Sequence, residues 1–195
     1  MPTKLIDGGL GQLHAPITIG LDQSLTGFAL TAMHTLEPKK HLTWVYKSPY
    51  KNIERLVDIR QWLTDNLTYL DDKFTISDIA MEGTVLLSQS ALILGELSAT
   101  VRLAIYDYFD EGDHRRYPLR VPPLTLKRFA TGKGNSKKQE MLLQIYKRWG
   151  VEFTDDNAAD AYALARLVSG FTINKIEEDV VKQMSEDKYR DYSPL

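Results

Sequence analysis

The chain contains no cysteine among its 195 residues. That excludes disulfides, thiolate metal sites and a cysteine nucleophile. No run of about 18 apolar residues occurs, so no segment has the length of a membrane-spanning helix. The opening stretch MPTKLIDGGLGQLHAPITIG lacks the basic-then-apolar pattern of a secretion signal. The expected location is cytoplasmic, or the host cytoplasm if the protein is viral. There is no Gly-flanked serine motif, no internal repeat and no shift in composition that marks a second domain. With 43% of its residues hydrophobic, the chain reads as a single domain over residues 1–195, long enough to bury a core. A surplus of positive charge is also missing. The formal net charge is −2, which by itself argues against a nucleic-acid partner.

The pattern of charge argues otherwise. Between Arg115 and Arg148 stand ten basic residues and a single acid, Glu140. They include Arg115, Arg116, Lys127, Arg128, Lys133, Lys137 and Lys138, the candidate DNA-binding residues. From Val151 onward the chain is acidic on balance. Cations that hold a phosphate backbone, beside carboxylates that hold metal, suit a phosphodiester-cleaving site. A charge run alone more often marks a solvated face.

Residues 1–15 read as a loose, Gly-rich arm. ITIGLD (17–22), FALTAMH (28–34) and HLTWVYK (41–47) read as three strands of a meander, with a turn at Glu37–Lys40. Over 51–70, Ile53, Leu56, Val57, Leu63, Leu67 and Leu70 recur at helical spacing. ISDIAME (76–82) is a further strand ending in an acid. Residues 88–109 form a long helix that is apolar on more than one face. Such a helix is either central to the core or shared with a second subunit. RYPLRV reads as a strand, TLKRFATGKGNS as a short helix and Gly-rich loop. Ser136 followed by Gln139 predicts a capping box for KKQEMLLQIYKRW. DDNAADAYALARLV is the last core helix, and 172–195 carry one more peripheral helix. Antiparallel strands followed by helix-linked strands predict an α/β fold, a mixed sheet covered on both faces.

Three acids lie at element ends. Asp22 closes the first strand, Glu82 the fourth, and Asp160 lies in the first turns of the last helix. Asp156 and Asp160 are four residues apart and so share a helix face. Taken singly, each acid reads as a turn former or an N-cap. Together, and in this order, such carboxylates can hold hard divalent ions through oxygen. Two ions, Mg2+ with Mn2+ as the alternative, would clamp the attacking and leaving oxygens of an in-line phosphoryl displacement without any nucleophilic side chain.

These segments resemble the motifs of the RuvC-like Holliday junction resolvases, of the ribonuclease H superfamily. IGLDQSLTGFAL (19–30) is similar to the opening motif and IAMEGTVLLSQSALILGELSATVR (79–102) to the second. VPPLTLKRFATGKGNSKKQEM (121–141) and DDNAADAYALARL (155–167) resemble the third and fourth. The resemblance spans about 17–169. It implies a ribonuclease H-like mixed five-stranded sheet flanked by helices. It also implies a homodimer through the helix at 88–109, and paired cuts in four-way or other branched DNA. Asp22, Glu82 and Asp160 would then be metal ligands, and Lys127 and Lys138 would lie near the scissile phosphate.

Two departures stand out. The family pattern places an acid where this chain has Asn157, so Asp156 is favoured as the completing ligand, with Asn157 a candidate. Where the bacterial family has an aromatic after the glutamate, this chain has Val85, between Thr84 and Leu86. An apolar wedge remains open there, but aromatic stacking does not. The divergence suggests a bacteriophage-type member. Two alternatives are a junction-binding protein that does not cut and a ribonuclease H-like nuclease on an RNA–DNA hybrid. An actin-like ATPase, suggested by Asp22 to Gly27, would need a second phosphate loop that is missing from the sequence.

Overall fold

The computed structural model describes residues 3–11, 13–83 and 91–190. Six strands form one sheet: β1 (Thr3–Asp7), β2 (Pro16–Asp22), β3 (Phe28–His34), β4 (His41–Tyr46), β5 (Thr75–Glu82) and β6 (Leu119–Val121). Their spatial order is β1-β4-β3-β2-β5-β6. β2 to β4 form the expected antiparallel meander, and β1 adds antiparallel to β4. β5 lies parallel to β2, and β6 parallel to β5.

The sheet thus has six strands where the sequence suggested five. The additional one is β1, inside the stretch read as a loose arm. TKLID is short and followed by two glycines, but its backbone pairs with β4 from Thr3↔Tyr46 to Asp7↔Leu42. β6 is confined to Leu119–Val121, because His114–Arg116 form a turn of 3-10 helix.

Helices cover both faces. Ile17, Ile19 and Leu21 of β2 enter the core cluster shared with α1 (Asn52–Asp71) and α2 (Ala91–Tyr108). The alternate positions Thr18 and Gly20 face α5 (Asp156–Ser169). A Cβ on Gly20 would lie 2.0 Å from the Ala161 carbonyl oxygen, and Thr18 Oγ1 donates to the Ala165 carbonyl at 2.9 Å. Strand alternation therefore assigns Asp22 to the α5 side as well. α3 (Pro123–Thr131), α4 (Lys138–Trp149) and α6 (Lys175–Met184) complete that layer around Ala158–Leu164, Phe129 and Trp149. Asp155 caps α5, accepting from the Asn157 and Ala158 amides at 3.0 and 3.2 Å.

Two local expectations are corrected, and the choice left open for the long helix narrows. In α1, Ile53 and Val57 are 68% and 61% exposed, and Ile59 takes the place in the core that Val57 was expected to fill. Ser136 does not cap α4. Its hydroxyl lies 2.7 Å from Thr131 Oγ1 and 3.2 Å from the Lys133 carbonyl, which folds the Gly-rich loop, and Lys137 occupies the cap position. α2 is not a central helix. It buries Leu97, Val101 and Ile105 but leaves Leu92 and Leu103 at 77% and 56% exposure. The expected helix start at 88–90 and the Val85 position lie outside the described residues. No described helix is long and apolar enough to cross a membrane.

Candidate active site

Because β2 and β5 run in parallel with Leu21 opposite Met81, Asp22 and Glu82 leave the same end of the sheet. Neighbouring strands are about 4.8 Å apart. Gln23 ties the two strand ends together, its Nε2 donating to the Glu82 carbonyl at 2.7 Å. Its Oε1 is buried with no partner among the described residues. The contact of Gly20 with Ala161 and Ala165 draws α5 close over β2. This brings Asp156 and Asp160, in the first turns of α5, to the strand ends.

The electrostatics of the site follow from that convergence. Burial, and then the charges of Glu82, Asp160 and Asp156, push the Asp22 carboxyl well above the ordinary range, against the opposing pull of Lys138. Burial, and then Glu82 and Asp156, push Asp160 up to about 7. Burial also raises Glu82, opposed by Lys127 and Lys138. Among the described residues, these three carboxylates accept no side-chain hydrogen bond. Buried like charges without donors are costly and gain from a cation.

Asp156 differs. It forms a close ion pair with Lys138, which lowers its carboxyl and raises the lysine. The Asn157 Nδ2 lies 2.7 Å from where a Cβ on Gly27 would be, against the start of β3.

An all-oxygen donor set suits Mg2+ or Mn2+. Among the described residues, however, no three acids already stand at the spacing of a closed metal cage. The donor chemistry fits a divalent cation, and the cage itself is not preformed.

The basic residues divide into two groups. Lys127 and Lys138 act directly on the acids. Arg128 at the end of α3, Lys133 in the following loop and Lys137 before α4 are exposed on the two elements that carry them. Arg115 and Arg116 are not brought to the acids. Arg115 donates to the Ile76 carbonyl at 3.0 Å, six residues up β5 from Glu82, which is about 20 Å along a strand. Its guanidinium is also engaged by Asp113, and that of Arg116 stacks 3.7 Å from the Tyr106 ring centroid.

Solved structures share this arrangement of strands and helices. Thermus thermophilus RuvC superposes with a TM-score of 0.57 at 19% identity, over 87% of this chain and 96% of that one. The fold is RuvC-like. RuvC from T. thermophilus in complex with a Holliday junction substrate matches at a TM-score of 0.58 and 19% identity, covering 77% of this chain and 90% of that one. The yeast mitochondrial Holliday junction resolvase Ydc2 matches at 0.53 and 16%, over 88% and 82%. No family model matches the sequence. No curated protein matches it significantly. At such identities the likeness establishes the RuvC-like fold alone.

Sequence reasoning missed Gln23 and Gly20. Gly20 carries a visible signal, a glycine within an apolar strand, which often marks close backbone approach. Gln23 carries none, because its partner is a backbone carbonyl on a strand distant in sequence.

Proposed function

We propose that this protein is a metal-dependent endonuclease that cuts branched DNA, foremost the four-way junction. One observation carries the reading. Asp22, Glu82 and Asp160 converge half-buried or buried at one end of a RuvC-like sheet, each raised by burial, with Lys127 and Lys138 beside them. The junction resolvases with the same fold support the choice of substrate.

Asp22, Glu82 and Asp160 would hold Mg2+ or Mn2+, two ions per site, with Asp156 joining once Lys138 releases it. Held there, such cations would supply an activated water and stabilise a departing 3′-oxygen. The chain's own residues do the rest. The carboxylates must shed their protons before they can ligate, so cation affinity rises with pH through about 7, where Asp160 titrates. Lys127 and Lys138 position the scissile phosphate and offset the charge that develops on it. Arg128, Lys133 and Lys137 extend this positive surface along the DNA backbone. The exposed stripe on α2 pairs two copies, so two sites related by a two-fold axis nick symmetric strands and leave 5′-phosphate and 3′-hydroxyl ends.

A second reading, junction binding without cleavage, is favoured by the Lys138–Asp156 pair and by the open spacing of the acids. Incubation of a labelled four-way junction with Mg2+ or Mn2+ separates the two. Paired symmetric nicks are expected from the wild type. Asp22→Asn and Glu82→Gln are expected to bind junctions normally and to lose cleavage by about a hundredfold or more. Wild-type binding without cutting in either metal would leave only the second reading.

A further inference from the structure

A cavity of about 640 Å³ lies between the β3–β4 turn, the C-terminal end of α4 and the far end of α5. It is remote from the acids. Arg166 is six residues beyond Asp160 on α5, about 9 Å of helix rise. His34, which begins the β3–β4 turn, pairs with Ile17, five residues from Asp22 and about 17 Å along the strand.

Five cations line the cavity, Lys39, Lys40, Lys147, Arg148 and Arg166, against one acid, Glu37. Lys40 pairs with Glu37 at 2.8 Å. Behind the wall, buried Glu177 takes a hydrogen bond from Arg148 at 2.8 Å and lies 3.9 Å from Arg166. Two acids thus face five cations, and three positive charges remain. Among the described residues, the side chains of Lys39 and Lys147 make no hydrogen bond or ion pair. Arg166 is held in place before any ligand arrives. It is 3% exposed, with its guanidinium 4.7 Å from the Trp149 ring centroid and 4.9 Å from that of Phe171. Its Nε has no hydrogen-bond partner among the described residues. Lys39 folds over Gly150, whose φ of 70° and whose closeness to the lysine (3.3 Å from a Cβ built there) keep the cavity rim free of side chain.

We propose that this cavity is an anion site, separate from the acids, which binds a phosphate group. A multiply charged anion matches a surplus of several cations better than a carboxylate does, and a pre-oriented guanidinium suits phosphate oxygens. The phosphate is carried either by the backbone of a DNA arm or by a free phosphate compound. The site does not depend on the cleavage reading.

The test is calorimetric titration of the full chain with inorganic phosphate and pyrophosphate, for wild type, Lys39→Ala/Lys147→Ala and Lys127→Ala/Lys138→Ala. Both replaced residues in the first variant are exposed, so its fold is retained. Saturable binding is expected, weakened at least about tenfold in Lys39→Ala/Lys147→Ala and retained in Lys127→Ala/Lys138→Ala. Absence of saturable binding, or binding that survives Lys39→Ala/Lys147→Ala, overturns the proposal. A salt titration of binding to a duplex of about 30 base pairs separates the sources: a DNA ligand lowers the salt slope by about two in Lys39→Ala/Lys147→Ala. A free phosphate ligand leaves the slope unchanged while phosphate binding is lost. Junction cleavage at saturating DNA is expected to be the same in that variant as in wild type, so failure here leaves the nuclease reading standing.

Discussion

At Asp160, burial and the neighbouring carboxylates act in the same direction, and the carboxyl keeps its proton up to about pH 7 instead of the ordinary 3.8. Between those values the folded chain binds more protons than the unfolded one. Stability from this group is therefore present at low pH and lost as pH rises toward 7. Asp22 and Glu82 are shifted in the same direction. Replacing Asp160 by Asn removes the penalty. Asp160→Asn is expected to raise the melting temperature at about pH 8, with the gain vanishing near pH 4, as read in melts across pH. A variant that melts below wild type at pH 8 would show that the carboxylate is already compensated within the chain. Added Mg2+ is expected to stabilise the wild type above about pH 7 and to have little effect near pH 5, where protons compete for the same oxygens.

Among the elements, the packing of α5 on β2 fixes the site. Thr18 and Gly20 on the strand meet Ala161 and Ala165 on the helix, and the small residues let the two backbones approach closely. The Gly20 position has no room for a methyl group, since a Cβ would stand 2.0 Å from one backbone atom and 2.4 Å from another. Gly20→Ala is expected to cost about 3 kcal/mol or more, measured as a shift in the denaturation midpoint. It should also lower cleavage in whatever fraction remains folded, because α5 carries two of the acids. An unshifted midpoint would mean that α5 does not seat on β2 as described.

For the whole molecule, the two faces of the sheet are covered unequally. The α5 side is closed by four helices, whereas α2 on the other side presents Leu92, Leu103 and Tyr106 to solvent along one stripe. Apolar exposure of this kind suits the pairing of two copies proposed above. The wild type is expected to sediment at twice the chain mass and Leu92→Lys/Leu103→Lys at the mass of one chain, with the fold retained because neither side chain is buried. The single-chain form should bind junctions more weakly and cut their strands without coupling. A wild type that sediments as one chain would remove the paired-cut part of the proposed function.

Strand alternation and turn residues made β2, β3 and β4 legible in the sequence, since both are local signals that survive into the fold. The same logic nominated Asp22, Glu82 and Asp160, because an acid at the end of an apolar strand or helix face is conspicuous in a one-dimensional pattern. β1 was hidden because TKLID gains its structure from partners distant in sequence, above all the hydrogen bonds of β4 some forty residues away. Arg115 and Arg116 belonged to the same run of charge as Lys127 and Lys138, yet α2 returns the chain to the far end of β5 before they follow. The sequence by itself determined which residues could be buried and which acids could share a cation. The tertiary structure alone decided which charges meet, pairing Lys138 with Asp156, sending Asn157 to Gly27 and gathering Lys39, Lys147 and Arg166 around one cavity. The reason is physical: electrostatic energy depends on distance through space, and chain order constrains that distance only within a single element.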